Sequence, residues 1–221
     1  MNAPRLRTIR HFALAFAALT ALHTAGYTAS PLPSGCDDIQ TNAHPRIAPN
    51  STVLLVVPAD MPQEYAAGLS AAIGALNGKV NGINFTQGTT DSEDVASITV
   101  SIGGADVSNM GIYSGSAGSN GYLRAGNLHV FPDTRGCGDS ASSLCLDPSS
   151  PSDYLAAIQA IFLHELLHAL GADHSQKANV MYSSFWGVNN TANPNPNLDC
   201  VTNQLRTLIS VSTPPPPNTC S

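Results

Sequence analysis

Three histidines and one glutamate are the residues of this chain best placed to do chemistry. They stand in the run His164-Glu165-Leu166-Leu167-His168-Ala169-Leu170-Gly171-Ala172-Asp173-His174. Residues four apart on a helix share a face, so His164 and His168 can offer imidazole nitrogens to one ion. Glu165 follows the first of them, which sets its carboxylate beside such an ion, a water's width away. A third imidazole on the same helix could not reach the remaining corner of a tetrahedron, so the helix has to end after His168. Gly171 permits a sharp turn there, and His174 returns from the following segment as a third ligand. Three protein ligands leave a fourth position to water, the mark of a catalytic rather than a structural zinc site.

Other readings of the run are weaker. Histidines that merely line a solvated helix face would not cluster so that three of the chain's seven fall within this one stretch. No glutamate follows Glu165, which removes the option of a downstream glutamate ligand. Asp173 would compete with His174 for the same turn, and Asp199 has no flanking pattern to aim it, so His174 is the better third ligand.

Elements that could position these residues are legible from about Thr52 onward. Ser150, Pro151 and Asp153 form a helix start, with an N-cap, a first-turn proline and a capping-box acid. From there the pattern stays helical through Leu170 and stops at Gly171. Upstream, Val53–Val57 is a short buried strand, and Pro62–Leu76 carries Tyr65, Leu69, Ile73 and Leu76 at helical spacing before Gly78. Ile83–Thr86, Ile98–Ile102, Gly111–Tyr113 and Asn127–Phe131 read as further strands. The Gly/Ser-rich stretches between them read as surface loops. A last helix is expected over Leu198–Ile209, and Pro214–Pro217 form an extended tail.

The N-terminus has a different character. Arg5, Arg7 and Arg10 precede the apolar run Phe12–Leu22, and small residues follow. This is the order of a secretory signal peptide, and the run is too short to span a bilayer. The expected organisation is a signal peptide at 1–29, a short segment at 30–51, one catalytic domain at 52–212 and a Pro-rich tail at 213–221. Without its signal the chain keeps 6 basic residues against 15 acidic ones, a net charge of −9. That balance, with no Lys/Arg cluster, argues against nucleic acid and anionic membrane as partners.

All five cysteines (Cys36, Cys137, Cys145, Cys200 and Cys220) lie beyond the signal, where an oxidising compartment favours disulfides. Cys137 and Cys145 are expected to pair across a short loop. The pairing of the other three is not fixed by sequence.

Beyond the histidine run, Asn179-Val180-Met181-Tyr182 resembles the Met-turn of the metzincin clan of zinc endopeptidases. Ser175 after the third histidine and Tyr182 after the methionine are most similar to the matrixin branch (matrix metalloproteinase relatives). The resemblance implies an α/β (α+β) domain, a twisted mixed sheet with a long active-site helix and a C-terminal helix. It implies one catalytic Zn2+ on His164, His168 and His174, with Glu165 as general base and Met181 as an apolar floor beneath the imidazoles. It also implies an extended protein or peptide substrate paired with an edge strand near Gly111–Tyr113, and a pocket shaped by Tyr182–Trp186.

The departures are specific. The propeptide cysteine signature of matrixins is missing around Cys36, which leaves disulfide pairing or a zinc-blocking thiolate open for that residue. Ser183 stands where an additional tyrosine ligand would be in other branches. Only His44 and His129 are available upstream for a second, structural zinc. The expected protein is thus a secreted, monomeric zinc endopeptidase. A zinc hydrolase acting on other amides and an inactive metal-binding or adhesion module are the alternatives.

Overall fold

The computed structural model describes residues 35–90, 95–106, 109–131, 133–134, 151–177, 179–182 and 197–211. These residues fall in one compact unit. The expected signal peptide, the expected Cys137–Cys145 pairing, Cys220, Ser150, the expected pocket residues 183–186 and the proline tail lie outside the described residues, as do the side chains of 151–153.

Among the described residues the elements are β1 Thr52–Val56, α1 Gln63–Leu76, β2 Asn84–Gly88, β3 Ser97–Ile102, β4 Ala105–Asp106, β5 Gly111–Ala117, β6 Leu123–Val130, β7 Asp133–Thr134, α2 Pro151–Ala169 and α3 Leu198–Val211. Five strands make a mixed sheet in the order β2-β1-β3-β6-β5. The first four run parallel, and β5 closes the edge antiparallel to β6. β4 and β7 form a separate two-stranded pair. The architecture is α/β with a mixed sheet, a long helix carrying the histidine run and a C-terminal helix.

Parallel pairing of β1 with β2 requires a crossover, and α1 supplies it. Strand periodicity then selects a buried face. Val53 and Leu55 of β1, Ile98 and Val100 of β3, and Leu128 and Val130 of β6 are buried in one cluster with both long helices. From α1 come Tyr65, Leu69, Ile73 and Leu76, and from α2 Ile158, Phe162, Leu166 and Leu167. Asn77 ends α1 and fixes the edge strand behind it. Its side chain accepts from Phe85 N at 2.8 Å and donates to Phe85 O at 3.1 Å.

The Gly/Ser-rich stretch from Ser114 to Gly126 departs from the sequence reading. It is an antiparallel hairpin, pairing Tyr113 with Leu128, Ser114 with Asn127 and Ser116 with Ala125. Ladder hydrogen bonds and the buried Tyr113 and Leu128 override the poor strand propensity of its glycines and serines.

Cys36 pairs with Cys200, with Cα atoms 5.9 Å apart, and so ties the first described residues to the opening turn of α3. The bond spans a sequence separation of 164 residues. In the chain-entropy account, closing so long a loop constrains the unfolded state strongly. Replacing both cysteines by alanine is expected to destabilise the fold by ~2–5 kcal/mol, read as a lower denaturant midpoint than the oxidised parent. An unchanged midpoint would show that the unfolded chain is already held compact there.

Candidate metal centre

Helix α2 carries His164 and His168 one turn apart, and its C-terminus delivers the third histidine. Gly171 N donates to His168 O at 3.0 Å and Ala172 N to Leu167 O at 2.9 Å. This is the paired closure of a Schellman turn, with Gly171 at the position that requires a positive φ, here 104°. The chain reverses at once, and His174 returns to the open end of the α2 face. Its backbone N donates to Asp173 Oδ1 at 2.8 Å, so that carboxylate is occupied in shaping the turn.

The imidazoles meet through their Nε2 atoms. His168 Nε2 lies 3.1 Å from His164 Nε2 and 3.2 Å from His174 Nε2. With Zn–N bonds of about 2.0–2.1 Å, the edge of a tetrahedron is about 3.3 Å, close to both separations. His164 Nδ1 faces Val180 O at 2.8 Å and His168 Nδ1 faces Ala172 O at 2.8 Å. A carbonyl oxygen only accepts, so in each ring Nδ1 holds the proton and a neutral ring leaves Nε2 as a bare lone pair. Lone pairs facing each other at about 3 Å repel unless a cation lies between them. The donor set therefore fits a divalent metal.

Burial reinforces the neutral state. It depresses the His164 pKa to about 3, with the neighbouring His168 contributing next. It depresses His168 to about 4. Desolvation disfavours the imidazolium, which leaves both rings ready as ligands across the neutral pH range. Among the described residues, these three histidines are the group whose ligand atoms come close enough to share a metal. Asp199 is elsewhere, in the first turn of α3 and paired with Lys79. His129 engages both ring nitrogens, with Ser101 Oγ at 2.7 Å and Gly103 O at 2.8 Å.

Glu165 is buried, and its carboxylate reaches from α2 toward β5. Burial pushes its pKa up to about 8, opposed by the backbone hydrogen bond from Tyr113. A cation among the three imidazoles would also oppose that shift. The space it occupies exists because residue 111 has no side chain. A Cβ there would lie 2.6 Å from Glu165 Oε1 and 2.8 Å from its Cγ. The sequence reading placed Gly111 at the start of a substrate-pairing edge strand, with no link to Glu165. A glycine in a strand marks a close approach, and here the approaching group is the carboxylate.

Met181 is fully buried in the loop that follows His174. Ser175 N donates to Met181 O at 2.8 Å, and Met181 N donates to Asn179 Oδ1 at 2.8 Å. The loop thereby fixes Val180 O, the acceptor that orients His164. Neither Val180 O nor Ala172 O was visible as a functional group in sequence, because a backbone carbonyl carries no residue signature.

Two glycines separate the metal site from the carboxylate beside it. Gly171→Val forces a β-branched residue into a positive-φ position, and the expected result is weaker zinc binding as His174 is displaced. Gly111→Ala should instead leave zinc content intact and lower turnover, because it moves Glu165 alone. Zinc titration and peptide hydrolysis on both variants check this. Equal behaviour of the two would contradict the assignment.

No family model and no curated protein matches this chain. Among solved structures it is similar to high choriolytic enzyme 1, a hatching enzyme and zinc-protease from the medaka fish Oryzias latipes. The likeness is loose: 23% identity over 59% of this chain, with a TM-score of 0.32. This chain spans 50% of the length of that one.

Proposed function

We propose that this chain is a secreted zinc endopeptidase of the metzincin type, with one Zn2+ on His164, His168 and His174 and Glu165 as general base. The observation that carries the reading is the convergence of three imidazole Nε2 atoms, two of them in buried neutral rings, beside a buried carboxylate. A purely structural site has no use for that carboxylate. Zinc held there would lower the pKa of a bound water to ~7 and polarise a carbonyl.

The chain's own residues do the rest. Glu165 accepts the proton of the attacking water on its carboxylate and returns it to the leaving amine nitrogen. Tyr113 N–H, donating to that carboxylate, keeps it aimed. β5 lies at the edge of the sheet, directly against Glu165 through Gly111. An extended peptide added alongside β5 would present successive carbonyls to the site by β-augmentation. The exposed Ile112 and Ser114 side chains of β5 would flank it. The matrixin-like Ser175 and Tyr182 form a bridge that closes the loop beneath the third ligand.

Glu165→Gln keeps the side chain's shape and removes its capacity to take the proton. Zinc should remain bound, and hydrolysis of an unfolded protein such as casein should fall at least ~10²-fold. His168→Ala should lose zinc and activity together. Near-normal turnover by the Glu165→Gln protein would place the base elsewhere and overturn the reading.

A further inference from the structure

We propose that Asn42 and Asp38, far upstream of the histidines, are positioning residues of the metal centre. Asn42 holds the carbonyl that orients His168, and Asp38 holds the loop that carries His174. This inference rests on the three-histidine site proposed above and extends it to residues outside the histidine run.

The segment from Gly35 to His44 lies along the end of α2 and the turn after it. Asn42 N donates to Gly171 O at 2.9 Å, and Gln40 O accepts from Asp173 N at 2.8 Å. The Asn42 amide donates from Nδ2 to both His168 O and Ala172 O, each at 2.8 Å. Its Oδ1 accepts from His44 N at 3.0 Å, so the orientation of the amide is fixed by its partners. Ala172 O is the same carbonyl that accepts from His168 Nδ1. One oxygen therefore receives two donors, and Asn42 decides where it stands. An uncapped helix end leaves such carbonyls to water, whose position is not set.

Asp38 acts on the other side of the turn. Its carboxylate accepts from Ser175 Oγ at 2.8 and 3.0 Å, and from Gln176 N at 2.7 Å. Ser175 directly follows His174. Ser175 Oγ also takes hydrogen bonds from Lys177 N at 2.9 Å and Asn179 Nδ2 at 2.7 Å. The carboxylate thus anchors both the third ligand and the loop that holds Val180 O against His164. The segment is itself tethered, by the Cys36–Cys200 disulfide, by the Asp37–Lys177 ion pair, and by Asn179 Nδ2 donating to Gly35 O at 2.8 Å. Groups that orient metal ligands from behind typically change metal affinity 10- to 100-fold when removed.

Asn42→Asp is the sharpest test, because it conserves volume while replacing a donor by an acceptor that faces two carbonyls. The zinc dissociation constant, measured by competition with a chelating dye on the full chain, should rise ~10- to 100-fold. The visible absorption of the cobalt-substituted protein should change as the ligand geometry loosens. A residue that only supports the fold would lower the melting temperature and leave both readouts unmoved in the folded protein. A folded Asn42→Asp chain with unchanged zinc affinity and cobalt spectrum would overturn the inference. If that variant does not fold, Asp38→Ala carries the same expectation and the same contradiction. A parent chain that takes up no zinc would remove the metal site itself, whereas tight zinc in the parent and in folded variants alike would refute only the positioning role.

Discussion

The structure turns on an electrostatic conflict between two buried acceptors. The Nε2 lone pairs of His164 and His168 stand 3.1 Å apart near the end of a buried helix, and His174 Nε2 lies 3.2 Å from that of His168. Each could relieve the conflict by taking a proton, but burial holds two of the rings far from that state. Each could rotate away, but for His164 and His168 a backbone carbonyl pins Nδ1. For that pair what remains is a cation, and His174 stands close enough to share it.

The fold holds this arrangement from three directions. The α2 helix is buried along most of its length, so His164 and His168 cannot shift without disturbing Phe162, Leu163, Leu166 and Leu167. The Schellman closure at Gly171 sets where the third ligand starts. The loop from Ser175 to Tyr182 and the segment from Gly35 to His44 then clamp the turn from either side. Each hydrogen bond contributes only ~1 kcal/mol net, but they converge on two carbonyls and one turn, where their geometric effect is concentrated. The Glu165 carboxylate is held by a separate device, the vacancy over Gly111 and the N–H of Tyr113, which belongs to the sheet rather than to the helix.

Local chemistry was legible in the sequence and long-range support was not. His164, Glu165, His168, Gly171 and His174 are close in the chain, and helix periodicity with one glycine places them. The order of strands and helices followed from apolar periodicity, because β1, β3, α1 and α2 bury one face each. The hairpin after Tyr113 reads as a loop in sequence, since glycine and serine have no propensity that announces a strand. Asn42 lies 126 residues from the His168 carbonyl it binds, and Cys36 lies 164 residues from Cys200. No spacing rule reaches that far, and an asparagine in a polar segment has many commoner roles. Gly111 carried a faint signal as a glycine in a strand, but its partner, a glutamate on a distant helix, appears only in three dimensions.

The central claim is that one ion sits among three imidazole nitrogens and no sulfur. X-ray absorption at the zinc edge of the zinc-loaded chain reads that environment directly. The account predicts three nitrogen scatterers at about 2.0–2.1 Å with the outer-shell pattern of imidazole rings, and one further light atom from water. A sulfur scatterer near about 2.3 Å, or a shell of oxygen atoms without imidazole features, would contradict it.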